Sequence, residues 1–114
     1  MMKGGTMYNQ KDIVLAPFPY SDLTSFKQRP MLIVSNGKMD KTQDVICCLL
    51  TSNPSADGIP VKKKDVVNGK MPFESKVKPY RIFTIDKRII KKKVCEINSG
   101  FYKEIFNEIK SYIN

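Results

Sequence analysis

Apolar residues fall in short β-branched runs, each bounded by Pro, Gly, Asn or Asp. Asp12 to Ala16 (DIVLA) reads as a first strand, closed by Pro17 and Pro19. A polar loop of about a dozen positions follows, Phe18 to Gln28, and connections of that length are often functional. Pro30 to Ser35 is a second strand, running into a turn at Asn36-Gly37. Asp44 to Thr51 (DVICCLLT) is a third, and its unbroken apolar run predicts burial on both faces. After a turn-rich loop at Asn53 to Gly58, short strands are expected at Ile59 to Lys62, Val77 to Ile85 and Val94 to Ile97. Pro79 marks an edge or a bulge in the longest of these.

The period then changes. Phe101, Ile105, Ile109 and Tyr112 recur at helical spacing, with Ser99 expected as the N-cap. Five or six short strands and one terminal helix predict a mainly β domain, a small curved sheet or open barrel with the helix packed on it. The chain has 114 residues, the size of one domain. Residues 1–10 contain Lys3, Gly4 and Gly5 and no apolar stretch of the secretory kind, and read as a flexible leader to a domain over 11–114. No apolar run approaches membrane-spanning length, so no membrane partner is expected.

Charge changes the picture of partners. Twenty Lys and Arg face 11 acids, a net charge of +9 that attracts a polyanion or an acidic protein segment. The chain has no histidine, so Ser-His-Asp triads, Cys-His pairs and two-histidine ribonuclease chemistry are excluded. The three cysteines, Cys47, Cys48 and Cys95, are read as reduced, buried thiols of a cytoplasmic protein. Cys47 and Cys48 are adjacent and point to opposite faces of a strand, so they cannot share a metal. No metal or cofactor is expected.

Three groups of residues are candidates for chemistry. Arg29 stands where the long loop meets the second strand, and Pro30 biases it toward an extended backbone. Its guanidinium matches a phosphate in bidentate fashion, or else pairs with an acid such as Asp22. Thr51 and Ser52 close the third strand, where hydroxyls either make the turn or donate to a phosphoryl oxygen. Lys76, Lys78, Arg81, Lys87 and Arg88 alternate with Tyr80 and Phe83, a mixture suited to single-stranded nucleic acid. Strict alternation places Lys78, Tyr80 and Ile82 on one face, and Val77, Pro79, Arg81 and Phe83 on the other, with Phe83 in the core. The runs Lys62-Lys63-Lys64 and Lys91-Lys92-Lys93 read as solvated loops adding salt-sensitive attraction to nucleic acid.

In order along the chain, Lys11-Asp12-Ile13-Val14-Leu15, Phe18-Pro19, Gln28-Arg29-Pro30, Leu32-Ile33-Val34-Ser35-Asn36, Thr51-Ser52 and Phe83-Thr84-Ile85-Asp86-Lys87 resemble the MazF/PemK/Kid toxin family, in its PemK-like branch. The resemblance implies an SH3-like barrel with a C-terminal helix, and a homodimer that cleaves single-stranded RNA without a metal. It also implies an acidic antitoxin partner and operator DNA bound through the toxin–antitoxin complex. By the same resemblance Arg29 and Thr51 are the catalytic pair, acting when a ribose 2′-hydroxyl attacks the adjacent phosphate. Ser52, Lys78, Tyr80, Arg81 and Lys27 are the expected RNA-binding residues. Arginine is too basic to shuttle protons readily, which favours Arg29 as an electrostatic clamp. Some members use Arg and Asp where Lys78 and Tyr80 stand here, and some use a histidine in the first loop. The proton acceptor is therefore open between Tyr80, Asp22 and water. The alternatives are a non-catalytic nucleic-acid- or antitoxin-binding module on the same fold, and a gyrase-directed toxin like CcdB.

Overall fold

The computed structural model describes residues 7–18 and 27–114. Among the described residues seven strands form one antiparallel sheet: β1 (Asp12–Pro17), β2 (Gln28–Ile33), β3 (Asp44–Thr51), β4 (Ile59–Pro60), β5 (Val66–Gly69), β6 (Lys76–Asp86) and β7 (Lys92–Ile97). Their order across the sheet is β4-β6-β3-β2-β1-β7-β5, and helix α1 (Ser99–Ile113) ends the chain. The expected mainly β architecture with a C-terminal helix is what the chain adopts.

The sheet buries both faces. On one, Ile13, Leu32, Cys48, Leu50, Val77 and Ile97 pack against Phe101, Ile105 and Ile109 of α1. On the other, Val14, Ala16, Met31, Ile33, Cys47 and Leu49 form a second cluster, joined by Phe18 and Phe83. Neighbours along β3 alternate between the two, which is why its apolar run is unbroken. Cys47 and Cys48 accordingly fall in different clusters.

Several boundaries differ from the sequence reading, each for a local reason. Strand β5 goes unread because Val66 and Val67 are its only apolar residues; its pairing with β7 is a tertiary event. Strand β7 starts at Lys92, two residues before the expected position, so Lys92 and Lys93 are strand rather than solvated loop. Lys93 reaches the fully buried Asp12 carboxylate at 3.1 Å. That contact raises the Lys93 pKa, as a hydrogen bond to a carboxylate does. Asn98, not Ser99, caps α1, its side chain accepting from the Phe101 N–H at 2.7 Å. The apolar stripe of α1 is buried only as far as Ile109, and Tyr112 is exposed.

The leader reading needs correction at its inner end. Tyr8 packs against the second cluster, the Asn9 N–H donates to Asp12, and Gln10 Nε2 bonds both the Val34 carbonyl and the Tyr102 hydroxyl. These residues are tied to the sheet rather than preceding it.

Pro79 marks a bulge, one of its two expected settings. The β3–β6 ladder pairs Cys48 with Ile82 but Leu50 with Val77, so the register slips between them. Pro79 has no N–H to give the ladder, and the Lys78 carbonyl accepts the Cys48 thiol at 2.8 Å. The slip inverts the alternation: Val77 lies in the helix-side cluster, whereas Phe83 packs in the opposite one. Val77 and Phe83 therefore do not share a face, contrary to strict alternation.

Candidate active site

The register of the sheet brings the two candidate catalytic residues together. Ala16 of β1 pairs with Arg29 of β2, and Ala16 belongs to the second cluster, so the Arg29 side chain projects on that face. Strand β2 pairs with β3 as Met31 with Leu49 and Ile33 with Cys47, all four in the same cluster. The β2–β3 pairing ends at Met31 and Leu49, and Arg29 and Thr51 stand two residues beyond it on their strands, at the same end of the pair. The open end of the β2–β3 pair thus carries a guanidinium on one strand and a hydroxyl on the other.

The local bonding of Thr51 is that of the turn-making reading. Its Oγ1 accepts the Asn53 N–H at 3.2 Å, which sets the turn leaving β3. A hydroxyl that accepts in this way keeps its own proton to donate. The loop beyond is fastened from below. Lys76 Nζ donates to the carbonyls of Pro54 at 3.1 Å and Ala56 at 2.8 Å. Gly58, at φ +151°, lies so close to β6 that a Cβ there would stand 2.8 Å from the Lys76 Cβ and the Val77 carbonyl oxygen.

Arg29 is half-buried and forms no ion pair among the described residues. Asp22, the alternative partner and a candidate proton acceptor, lies outside the described residues, as does most of the Phe18 to Gln28 loop. Arg81 is on the Arg29 face: its guanidinium sits 5.8 Å from the Phe18 ring centre, and Phe18 meets Phe83 edge-on at 5.1 Å. Lys27 is exposed, one residue before β2, and Ser52 is exposed one residue beyond Thr51. Lys78 and Tyr80 are placed elsewhere. The Lys78 ammonium lies 5.2 Å from the Tyr80 ring, which meets Tyr112 of α1 edge-on at 5.8 Å. That pair belongs to the helix side of the bulge, so Tyr80 is not among the residues gathered around Arg29.

Other basic residues flanking β6 have structural partners. Lys87 Nζ donates to the carbonyls of Met39 and Thr42. Arg88 grips Asp86 at 2.7 Å, and this bond holds the Asp86 carboxyl down at about 2. Asp86 also accepts the Arg88 N–H, and it lies opposite Asp44 across the β3–β6 ladder. The Asp86-Lys87 sequence thus builds a corner rather than a site. The cysteines are inert: burial pushes the Cys47 and Cys48 thiols up to about 12 and Cys95 to about 11. Among the described residues no three His, Cys, Asp or Glu side chains gather as metal ligands.

A feature the sequence reading missed adjoins Thr51. A cleft of about 940 Å³ opens between the Thr51–Pro54 segment, the turn at Pro60–Lys63 and the segment from Gly69 to Lys76. Lys62 and Lys63, read as a solvated run, line it. The spacing of these lysines carries no signal, since the segments meet only through the β4–β6 and β5–β7 pairings.

The model of the PemK-like, MazF-like toxins of type II toxin–antitoxin systems matches residues 9–113. The chain belongs to this family. No curated protein sequence matches the chain. Among solved structures, MazF from Deinococcus radiodurans superposes with a TM-score of 0.73 at 16% identity, over 96% of this chain and 98% of that one. A MazE–MazF structure from the same organism gives 0.69 at 17% identity, over 96% and 98%. A mycobacterial endoribonuclease in complex with its cognate antitoxin gives 0.65 at 18% identity, over 92% and 90%. At these identities the likeness is one of fold: the PemK-like chain has the curled antiparallel sheet and terminal helix of these proteins. Among its described residues no helix is long and apolar enough to cross a membrane.

Proposed function

We propose that this PemK-like chain is an endoribonuclease that cuts single-stranded RNA without a metal: a 2′-hydroxyl loses its proton and attacks the adjacent phosphate, the bond from phosphorus to the 5′-oxygen of the next nucleotide breaks, and a cyclic phosphate and a 5′-hydroxyl, protonated from water, result. What supports the reading is that Arg29 and Thr51 each stand two residues beyond the Met31–Leu49 pair, at the same end of β2 and β3. In the attack the phosphoryl oxygens gain negative charge. A guanidinium and a hydroxyl proton aimed at them lower the barrier, because they interact more strongly with that state than with the substrate. Arg29 stays charged throughout and acts as the clamp; Thr51 donates its hydroxyl proton. Lys27 beside β2, Ser52 beside Thr51 and Arg81 on the Arg29 face hold the RNA backbone. Tyr80 and Lys78, on the helix side, belong to the outer course of the strand rather than to proton transfer, which leaves a water or Asp22 to take the 2′ proton.

The partners follow from charge and from an open sheet edge. A chain of net charge +9 suits an acidic antitoxin, and operator DNA through the antitoxin complex, in the cytoplasm. Beyond Val77 no described strand covers the outer edge of β6, and Tyr80, Ile82, Tyr112 and Ile113 are exposed large hydrophobics. Proteins cover such edges, and a homodimer through β6 and the end of α1 does so here.

The test is incubation of the purified protein with long single-stranded RNA in EDTA. Discrete cuts by the wild type that disappear in Arg29→Ala and Thr51→Ala support the reading. A folded protein that leaves a broad range of RNA sequences intact refutes it.

A further inference from the structure

The cleft beside Thr51 has the chemistry of a nucleotide subsite. Its walls carry four lysines, Lys62, Lys63, Lys70 and Lys76, against one acid, Glu74. The floor is apolar, with Val61, Val66 and Met71 continuous with the helix-side core. Phe73 stands at the rim, 48% exposed although its ring is the largest apolar group there. Lys76 is occupied by the Pro54 and Ala56 carbonyls, whereas Lys62, Lys63 and Lys70 are exposed. At about 940 Å³ the space lies near the top of the range of roughly 300–1,000 Å³ typical of ligand sites.

We propose that this cleft binds the RNA nucleotides flanking the cut phosphate on one side, with Phe73 stacking on a base and Lys62, Lys63 and Lys70 taking the phosphates. Two observations favour this occupant. Thr51 and Ser52 themselves line the cleft, so a strand whose phosphate rests at Thr51 has neighbouring nucleotides at its mouth. Its charge balance suits a polyanion, and an exposed aromatic ring beside cations is how proteins hold unpaired bases without reading a duplex. The assignment of the ligand as RNA rests on the proposed ribonuclease reading; the cleft itself does not require turnover.

The experiment separates the two. Binding is measured by fluorescence anisotropy with labelled 2′-O-methyl RNAs of four and twelve nucleotides, which offer no attacking hydroxyl. The twelve-mer binds the full-length wild type more tightly than the four-mer. In Phe73→Ala the ratio of the two affinities falls by roughly five- to hundredfold, the effect of losing one stacked base, and Phe73→Trp restores it. With Lys62, Lys63 and Lys70 all changed to Ala, the log–log salt slope for the twelve-mer flattens by about two. An affinity ratio unchanged in Phe73→Ala overturns the proposal. So does loss of binding to a poly-Glu peptide with twelve-mer binding retained, which assigns the cleft to an acidic protein segment. RNA binding that depends on Phe73, in a protein that cleaves no RNA, upholds the cleft and refutes the ribonuclease reading.

Discussion

Lys76→Met removes the fastening under the Thr51 turn while keeping most of the side-chain volume. The ammonium makes two bonds, 3.1 Å to the Pro54 carbonyl and 2.8 Å to that of Ala56, and through them ties the loop after β3 to β6. A hydrogen bond to a charged group contributes about 1.5–3 kcal/mol. Here one ammonium serves both acceptors and the Pro54 bond is exposed, so the pair together is worth about 1.5–2 kcal/mol. The loss falls on local opening of the loop rather than on the core, because the aliphatic part of the side chain stays beside Gly58. Amide exchange in residues 52–58 is then expected to quicken by roughly ten- to thirtyfold, at about tenfold per 1.4 kcal/mol. Amides of β2 and α1 keep their protection. If Thr51 acts on the phosphate, the same variant loses turnover, since the turn that aims its hydroxyl is loosened. Exchange in 52–58 indistinguishable from wild type would refute the reasoning, and would mean that the Asn53 and Gly58 turns hold the loop unaided.

Three further outcomes follow from the packing and the titrating groups. Ile105→Ala empties a fully buried position between α1 and the sheet and is expected to destabilise by about 2–5 kcal/mol, read as a lower urea midpoint at unchanged slope. The Asp86 carboxyl is held at about 2, below its usual 3.8, by Arg88, so the bond stabilises the fold above pH 3.8 and is lost as the pH falls through about 2. Melting temperatures of the wild type and Arg88→Ala should therefore differ above that window and converge below it. The three thiols, raised to about 11 or 12, should resist Ellman's reagent at neutral pH in the folded protein and react fully once it is unfolded.

What could be read from the sequence depended on whether a signal was local. Strand β3 declares itself by an apolar run, and α1 by Phe101, Ile105 and Ile109 at helical spacing. Strand β5 has two valines and a glycine at φ +75°, and exists because β7 offers it an edge. Lys92 and Lys93 disguise the start of β7, since the Asp12 carboxylate that draws Lys93 in is 81 positions away in sequence. Pro79 signals a disturbance but not its consequence, the inversion that separates Val77 from Phe83. The site follows the same rule. Arg29 and Thr51 stand out through neighbouring residues, whereas their place at one end of the β2–β3 pair depends on a register set by the whole sheet. The lysine-lined cleft needs three segments brought together and was not legible at all.

Joint action of Arg29 and Thr51 on one phosphate is measured by a double-mutant cycle in RNA cleavage. Single-turnover rates in EDTA are compared for the wild type, Arg29→Ala, Thr51→Ala and the double variant. Each single change is expected to slow cleavage by about 10²–10³-fold, the effect of removing one preorganised group facing a developing oxyanion. Residues that serve a single transition state lose together, so the double variant should be little slower than the worse single one. Losses that multiply, or a Thr51→Ala rate equal to wild type, would contradict the account.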